Sequence, residues 1–222
     1  VEQDSYFCDT YINKMKLHNY RKQYSKDILD ETQVPDDPIV LFRQWFELAS
    51  KQHAHEANAM VLSTVFDNRP SARVVLLKEV SEGGFVFFTN YESRKSIELE
   101  TNPFACLTFF WPEFERQIRI EGSVRRVSEE ISDNYFNSRP EQSRISAIIS
   151  PQSQIIASKA VLMNKKNEFI TKAENLKRPL FWGGYSLLPE AVEFWQGRPD
   201  RLHDRIKYVK NGLEWLIQRL AP

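Results

Sequence analysis

An α+β fold built around a closed or nearly closed antiparallel barrel is what this sequence predicts, and three observations carry that expectation. Strand-like segments recur at short spacing, helices fall between them irregularly, and aromatic residues make up 13% of the 222 positions. A strict strand–helix alternation would indicate a doubly wound parallel sheet, whereas this order favours antiparallel neighbours that close on themselves. The surplus of large rings suits a subunit interface or a flat ligand.

Residues 1–33 are polar, tyrosine-rich and without a clear period, which reads as an arm laid on the body or left mobile, ahead of one domain over 34–222. Asp37 can cap a helix whose first turn tolerates Pro38, since proline's missing donor costs nothing there. Leu41, Phe42, Trp45, Phe46 and Ala49 then form one apolar helical stripe. The period changes after 51–58, and 59–66 and 72–80 read as a hairpin joined through Asp67-Asn68-Arg69-Pro70. Gly83-Gly84 turns the chain into a strand over 85–89; a helix over 93–100 follows, stopped by Asn102-Pro103. Residues 104–111 and 117–127 are two more strands, the second alternating Ile118 and Ile120 with Arg119 and Glu121. Ser128-Glu129-Glu130 supplies an N-cap and first-turn acids for a helix that ends before Pro140. The stretch 153–177 reads as mostly helical, and 181–187, 191–195, 205–209 and 215–220 as closing strands. No internal repeat, low-complexity tract or linker interrupts the body.

Thirty basic side chains balance 30 acidic ones, so net charge does not favour nucleic acid as a partner. No apolar run approaches the ~20 residues of a membrane span, and residues 1–10 lack the basic and apolar blocks of a signal peptide. A soluble, cytoplasmic protein without a membrane partner is expected. Cys8 and Cys106 are too few for a disulfide framework and read as reduced thiols. Of His18, His53, His55 and His203, the one close pair is two apart, which does not put both on one helix face, so no metal site is expected.

Four basic clusters stand out. Arg73 and Lys78 bracket four apolar residues, which implies a strand buried on both faces with a cation at each end; charges reaching solvent at strand ends are the ordinary alternative. Arg94 and Lys95 in a helix's first turn oppose the positive end of the macrodipole, a conflict that a bound phosphate would remove and that salt would merely screen. Tyr135 and Arg139 share a helix face, with Ser143 close behind Pro140, so an anion clamp and a helix end stabilised by Arg139 both fit. Arg201, His203 and Arg205 alternate with Leu202 and Asp204, so an extended backbone would align three cationic groups unless Glu193 or Asp200 neutralises them. Together the clusters suggest one or two phosphate-bearing small molecules. No glycine-rich nucleotide loop, serine triad or nucleophilic cysteine is apparent.

At these residues the chain resembles the pyridoxine/pyridoxamine 5′-phosphate oxidases over about 37–222. The most specific pieces are Arg-Val-Val-Leu-Leu-Lys (73–78), Phe-Thr-Asn-Tyr-Glu-Ser-Arg-Lys (88–95), Tyr-Phe-Asn-Ser-Arg-Pro (135–140), Phe-Trp-Gln-Gly-Arg-Pro-Asp-Arg-Leu-His-Asp-Arg (194–205) and the terminal Arg-Leu-Ala-Pro. The resemblance implies a split β-barrel homodimer holding FMN at the subunit interface. By that likeness the FMN site would use Arg73, Val74, Val75, Leu76, Leu77, Lys78, Phe88, Thr89, Arg94, Lys95, Gln117, Gln152, Ser153, Trp195 and Arg205. Lys78, Tyr135, Arg139 and Ser143 would take the substrate phosphate, with Arg201, Leu202 and His203 at the reacting side of the pyridine ring, Arg201 and His203 as the catalytic pair. The implied reaction moves a hydride from pyridoxine 5′-phosphate or pyridoxamine 5′-phosphate to the flavin, and oxygen then yields hydrogen peroxide. Arginine stays protonated at working pH, so Arg201 is expected to position substrate rather than abstract a proton.

The chain departs from the family's pattern at Ser146, where many relatives carry glycine, and at Pro151 before Gln152; the arm, including Tyr20, matches only loosely. Two other readings use the same features: a different flavin-dependent split-barrel reductase, and a non-catalytic carrier of FMN or pyridoxal phosphate. The Tyr135, Arg139, Ser143 and Arg-Leu-His constellation argues against the first, and peroxide production on adding substrate distinguishes the second.

Overall fold

Alternating burial along the strands, with large rings on the inward side, rolls the sheet into a barrel. The computed structural model describes residues 17–19, 21–51, 56–81, 83–172 and 175–222. Cys8, Tyr20, His53 and His55 lie outside them. The elements run α1 (Pro38–Lys51), β1 (Ala59–Phe66), β2 (Arg69–Leu76), β3 (Glu79–Ser81), β4 (Gly84–Asn90), α2 (Arg94–Thr101), β5 (Phe104–Trp111), β6 (Arg116–Arg126), α3 (Glu129–Ser138), α4 (Glu141–Ile149), α5 (Lys159–Thr171), β7 (Trp182–Gln196), β8 (Asp204–Asn211) and β9 (Glu214–Arg219).

All pairings are antiparallel, in the order β2-β1-β5-β6-β7-β4-β3, with β8 and β9 continuing from β7. The Lys78 amide donates to the Val86 carbonyl at 2.8 Å, drawing the end of β2 onto β4 and nearly closing the ring. The long strand β7 pairs with β6 along one edge and divides its other edge between two partners: its first half pairs with β4 (Trp182 to Leu187) and its second half with β8 (Ala191 to Gln196). Met60, Leu62, Phe85, Phe87, Leu107, Phe109, Ile118, Ile120 and Phe194 fill the interior at 2% exposure or less. Helix α1 plugs one end, with Phe42 edge-on to Phe85 and Phe109, and Trp45 edge-on to Phe194. Its start is as expected, with the Asp37 carboxylate accepting from the Ile39 amide at 2.8 Å. Ser128 likewise caps α3 by accepting from the Ile131 amide.

Several expectations are corrected. The stretch 72–80 is two strands, because the chain leaves β1 after Leu76 and joins β4 from Lys78 onward; the hairpin turn lies at Asp67-Asn68, both at positive φ (50° and 57°), so Arg69-Pro70 already belongs to β2. The run after Arg73 is not buried on both faces: β2 ends the strand order and leaves Val74 66% exposed. The segments 181–187 and 191–195 form one strand carrying a bulge. Gly122 faces Pro189 there, and a Cβ on it would lie 1.9 Å from the Leu188 carbonyl oxygen, so only glycine fits. Among the described residues of 153–177 only Lys159–Thr171 is helical, and α4 is an element the sequence reading lacked: Pro140 follows the end of α3 and stands at the N-cap of the next helix. The alternation at 201–205 is broken by a 3₁₀ turn over Pro199–Arg201, in which Asp200 and Arg201 adopt positive φ (54° and 63°).

No helix among the described residues is long and apolar enough to cross a membrane. The described part of the arm is laid on the body: Leu29 is buried in the core, Asp27 pairs with Arg116, and Glu31 pairs with Arg219.

Candidate functional site

Four elements converge on a cavity of about 640 Å³: the edge of β2, the end of β4, the start of α2, and the α3–α4 corner. Of the residues singled out from sequence, it brings together Val74, Val75, Leu76, Lys78, Phe88, Thr89, Lys95, Tyr135, Arg139, Ser143 and Gln152. Trp182 joins them unannounced by the sequence reading; its ring lies parallel to Phe88 (12°, centroids 5.7 Å apart), and Phe88 in turn stacks on Tyr135 at 4.0 Å. The strand pairing that sets Trp182 opposite Asn90 becomes visible only once β4 and β7 are joined.

The cavity's cations are largely uncommitted. Arg139 sits over the Trp182 ring at 4.8 Å, its Nη1 buried without a hydrogen-bond partner, and burial pulls its pKa below the ordinary value. Lys78 faces the Tyr135 ring at 5.9 Å and has no acidic partner among the described residues. Lys95, 8% exposed, donates only to neutral oxygens: Thr89 Oγ1 (3.1 Å), Ser93 Oγ (3.0 Å) and Gln152 Oε1 (3.3 Å). Burial, reinforced by nearby Arg73, lowers its pKa to about 8. Burying an unpaired cation and orphaning a guanidinium nitrogen are both costly, and an anion in the cavity would relieve both. Because β2 ends the strand order, its outer main-chain groups face the same space and can hydrogen-bond a ligand.

Arg94 and Ser153 line a second cavity of about 400 Å³ that shares Gln152 with the first. Arg73 is turned towards the same side, held by the Glu98 carboxylate at 2.8 Å and by Thr64 and Ser71. Leu77 points into the core, 6% exposed. Ser146 lies within α4, its hydroxyl donating to the Gln142 carbonyl, so a side chain there is accommodated; Pro151 leaves the Gln152 side-chain oxygen Oε1 within reach of Lys95.

The remaining residues gather elsewhere. Gln117, Trp195 and Arg205 are aligned across β6, β7 and β8. His203 packs on Trp195 at 4.7 Å, and Tyr24 of the arm closes edge-on over both rings. Gly197 permits that approach, since a Cβ there would meet the Tyr24 ring at 2.7 Å. Neutralisation by acids holds here: Arg205 donates to Glu193 through Nε at 2.8 Å, and its Nη1 to the Ala221 carbonyl. Arg201 and Leu202 are exposed on the turn. His203 accepts the Arg198 amide at Nδ1 (3.1 Å), so a neutral ring carries its proton on Nε2; burial and the nearby Arg201 both lower its pKa.

Fold and cavity together define a split-barrel protein with a cation-lined cavity suited to a planar anion. A family model described as pyridoxamine 5′-phosphate oxidase matches residues 46–170, and one described as the pyridoxine 5′-phosphate oxidase C-terminal dimerisation region matches 182–222. The chain is 51% identical over 209 residues to a pyridoxine/pyridoxamine 5′-phosphate oxidase of Actinobacillus pleuropneumoniae, covering 94% of this chain and 100% of the relative. It is 50% identical over 210 residues to one of Neisseria gonorrhoeae, with the same coverage. Among solved structures it superposes on PhzG from Burkholderia lata, crystallised with tetrahydrophenazine-1-carboxylic acid, with a TM-score of 0.83, 30% identity and coverage of 88% of this chain and 98% of that one. A pyridoxamine 5′-phosphate oxidase-related, FMN-binding protein of Nostoc punctiforme shares the fold at a TM-score of 0.68 and 17% identity, over 84% of this chain and 98% of that one. The chain belongs to the pyridoxine/pyridoxamine 5′-phosphate oxidase family.

Proposed function

We propose that this protein oxidises pyridoxine 5′-phosphate or pyridoxamine 5′-phosphate to pyridoxal 5′-phosphate, using FMN as resident cofactor and oxygen as final acceptor. The observation that carries this reading is the cavity itself. Lys78, Tyr135, Arg139 and Ser143, separated by up to 65 positions in sequence, meet there around an orphaned guanidinium nitrogen. A phosphomonoester supplies the missing acceptors, and Arg139 can present its fork to two phosphate oxygens.

The residues present also fit FMN. Arg73, Arg94 and Lys95 would supply charge for its phosphate, and the β2 edge from Val74 to Leu76, with Phe88, Thr89, Gln152 and Ser153, would hold its remaining polar groups; Leu77, turned into the core with its amide on the Asn58 carbonyl, would not reach it. When bound, FMN supplies a two-electron acceptor for the hydride leaving the substrate's 4′-carbon, and oxygen takes those electrons on to hydrogen peroxide.

Gln117, Trp195, Arg201, His203 and Arg205 do not line the cavity of their own protomer, and all but Gln117 lie in the matched dimerisation region. In the homodimer each protomer offers these residues to its partner's cavity, so one site draws on two chains. Within that arrangement His203 donates from Nε2, because its Nδ1 is occupied by the Arg198 amide, and Arg201 stays cationic. Both hold the substrate's reacting end in place; neither is arranged as a base.

The test is the visible spectrum of the flavin-loaded protein without oxygen, before and after adding pyridoxine 5′-phosphate. Bleaching that recovers in air is expected. A yellow protein that never bleaches would move the function to another flavin reaction or to a carrier. Failure to bind FMN at all would overturn the reading.

A further inference from the structure

Glu98 lies on α2 and was not among the residues the sequence singled out, yet it is 2% exposed and makes three polar contacts. Its Oε2 accepts from Thr64 Oγ1 at 2.5 Å and from Arg73 Nη2 at 2.8 Å, while its Oε1 accepts from Arg94 Nε at 2.8 Å. A carboxylate buried this deeply is held ionised only by such partners; burial opposes its ionisation, and Thr64, Arg94 and Arg73 more than offset that. The Arg94 side chain is otherwise 71% exposed, so this single contact sets where its guanidinium lies, and neither Nη group has a protein acceptor among the described residues.

We propose that Glu98 is a positioning residue for the FMN phosphate: it fixes the Arg73 and Arg94 guanidiniums so that, with Lys95, they present a preformed cradle. The inference rests on the reading of those three cations as the phosphate site. Charge also matches. Three cations and one carboxylate leave two positive charges, against the roughly −1.5 to −2 of a phosphomonoester near neutral pH. Removing Glu98 would add attraction for an anion, but on an exposed Arg94 that gain is screened, whereas loss of a fixed fork forfeits directional hydrogen bonds.

Glu98→Gln tests this by titrating flavin-free protein with FMN and with riboflavin, which lacks the phosphate, following quenching of flavin fluorescence. FMN affinity is expected to fall roughly tenfold while riboflavin affinity stays unchanged, as the loss of an ion-supported hydrogen bond predicts. Glu98→Asp, which withdraws the carboxylate by one methylene but keeps its charge, carries the same expectation should the glutamine variant fold poorly. In an Arg94→Gln background the effect of Glu98→Gln should shrink, since the group being positioned is gone. Equal losses for both flavins would make Glu98 a purely structural residue and overturn the proposal, as would a gain in FMN affinity. If the unsubstituted protein itself fails to prefer FMN over riboflavin, the phosphate reading of the cradle falls instead.

Discussion

The α3–α4 cavity and the β7–β8 corner are both rich in basic residues, yet they satisfy them in opposite ways. In the cavity Arg139 keeps an orphaned nitrogen and Lys95 leans on neutral oxygens. At the corner every arginine that contacts the strands has an acid: Arg205 has Glu193, while Arg198 and Arg219 share Asp204. Uncommitted buried cations are what the proposed phosphate site requires, because a bound anion would offset their desolvation. Paired cations are neutralised without a ligand, so on the proposed function the corner's less committed groups, Arg201, His203 and Trp195, would contribute most to the chemistry, and Arg205 would act with Glu193 already bound.

If that contrast is right, the largest loss comes from the cavity. Arg139→Ala should lower kcat/KM for pyridoxine 5′-phosphate roughly a hundredfold, or about 2.7 kcal/mol, with FMN affinity unchanged. A peroxide-coupled assay reads the first and a flavin titration the second. Unchanged kinetics would mean that the orphaned nitrogen is not a substrate contact.

At the corner, Arg201→Ala should raise KM and lower kcat, each by about tenfold, because it removes an orienting cation rather than the phosphate anchor. The two lesions also test whether a site spans two chains. Co-expressed Arg139→Ala and Arg201→Ala chains that pair at random put one intact site in each mixed dimer, restoring about a quarter of wild-type activity. No recovery above the separate variants would confine each site to a single protomer.

These contrasts were only partly legible in the sequence. The strands of the barrel, the Asp37 and Ser128 caps and the helix at Arg94 follow from period and turn chemistry, which act over a few residues. The helix at Glu141 was missed because Pro140 is both a stop and a start, and the bulge at Pro189 imitated a strand break. Lys78, Tyr135, Arg139 and Ser143 could be named as a set, but their meeting depends on β4 pairing with β7 and α3 packing on β7. Glu98 had a usable signal, its i, i+4 spacing from Arg94, but its pairing with Arg73 depends on the barrel's closure. The extended alternation at Arg201–Arg205 failed because Asp200 and Arg201 adopt the left-handed region, which no local pattern announces.

Lys95 gives a prediction of intermediate size in which stability and binding move in opposite directions. Its folded pKa of about 8 lies below the ordinary 10.5, so between those values the unfolded chain holds the extra proton. Stability of the flavin-free protein should therefore rise with pH across that window, while FMN affinity falls as the ammonium is lost. Denaturant melts and flavin titrations between pH 7.5 and 10 would check both. Lys95→Met should flatten both profiles, and flat profiles in the unsubstituted protein would mean that Lys95 keeps an ordinary lysine pKa despite its burial.

The smallest expected effect concerns how the corner is covered. Glu115 is 2% exposed, at φ 56°, and its carboxylate accepts the Ser25 and Lys26 amides at 2.8 and 3.1 Å while pairing with Lys22 at 3.3 Å. Burial works against ionisation, but the Lys26 and Ser25 amides and the Lys22 ammonium hold its pKa below the usual range. A depressed carboxylate pKa stabilises docking above the unfolded value, and that contribution is lost as pH falls through the folded one. Docking should therefore persist at neutral pH and weaken only in acid. Glu115→Gln keeps one acceptor for the amides but loses the charge, so trypsin cleavage after Lys22 and Lys26 should quicken severalfold at neutral pH. The global melting temperature should shift by only about 2–4 °C, the response to roughly 1 kcal/mol in a domain of this size. Cleavage at the wild-type rate would assign arm docking to Leu29 and the Asp27–Arg116 pair instead, leaving Tyr24 seated over His203 without help from Glu115.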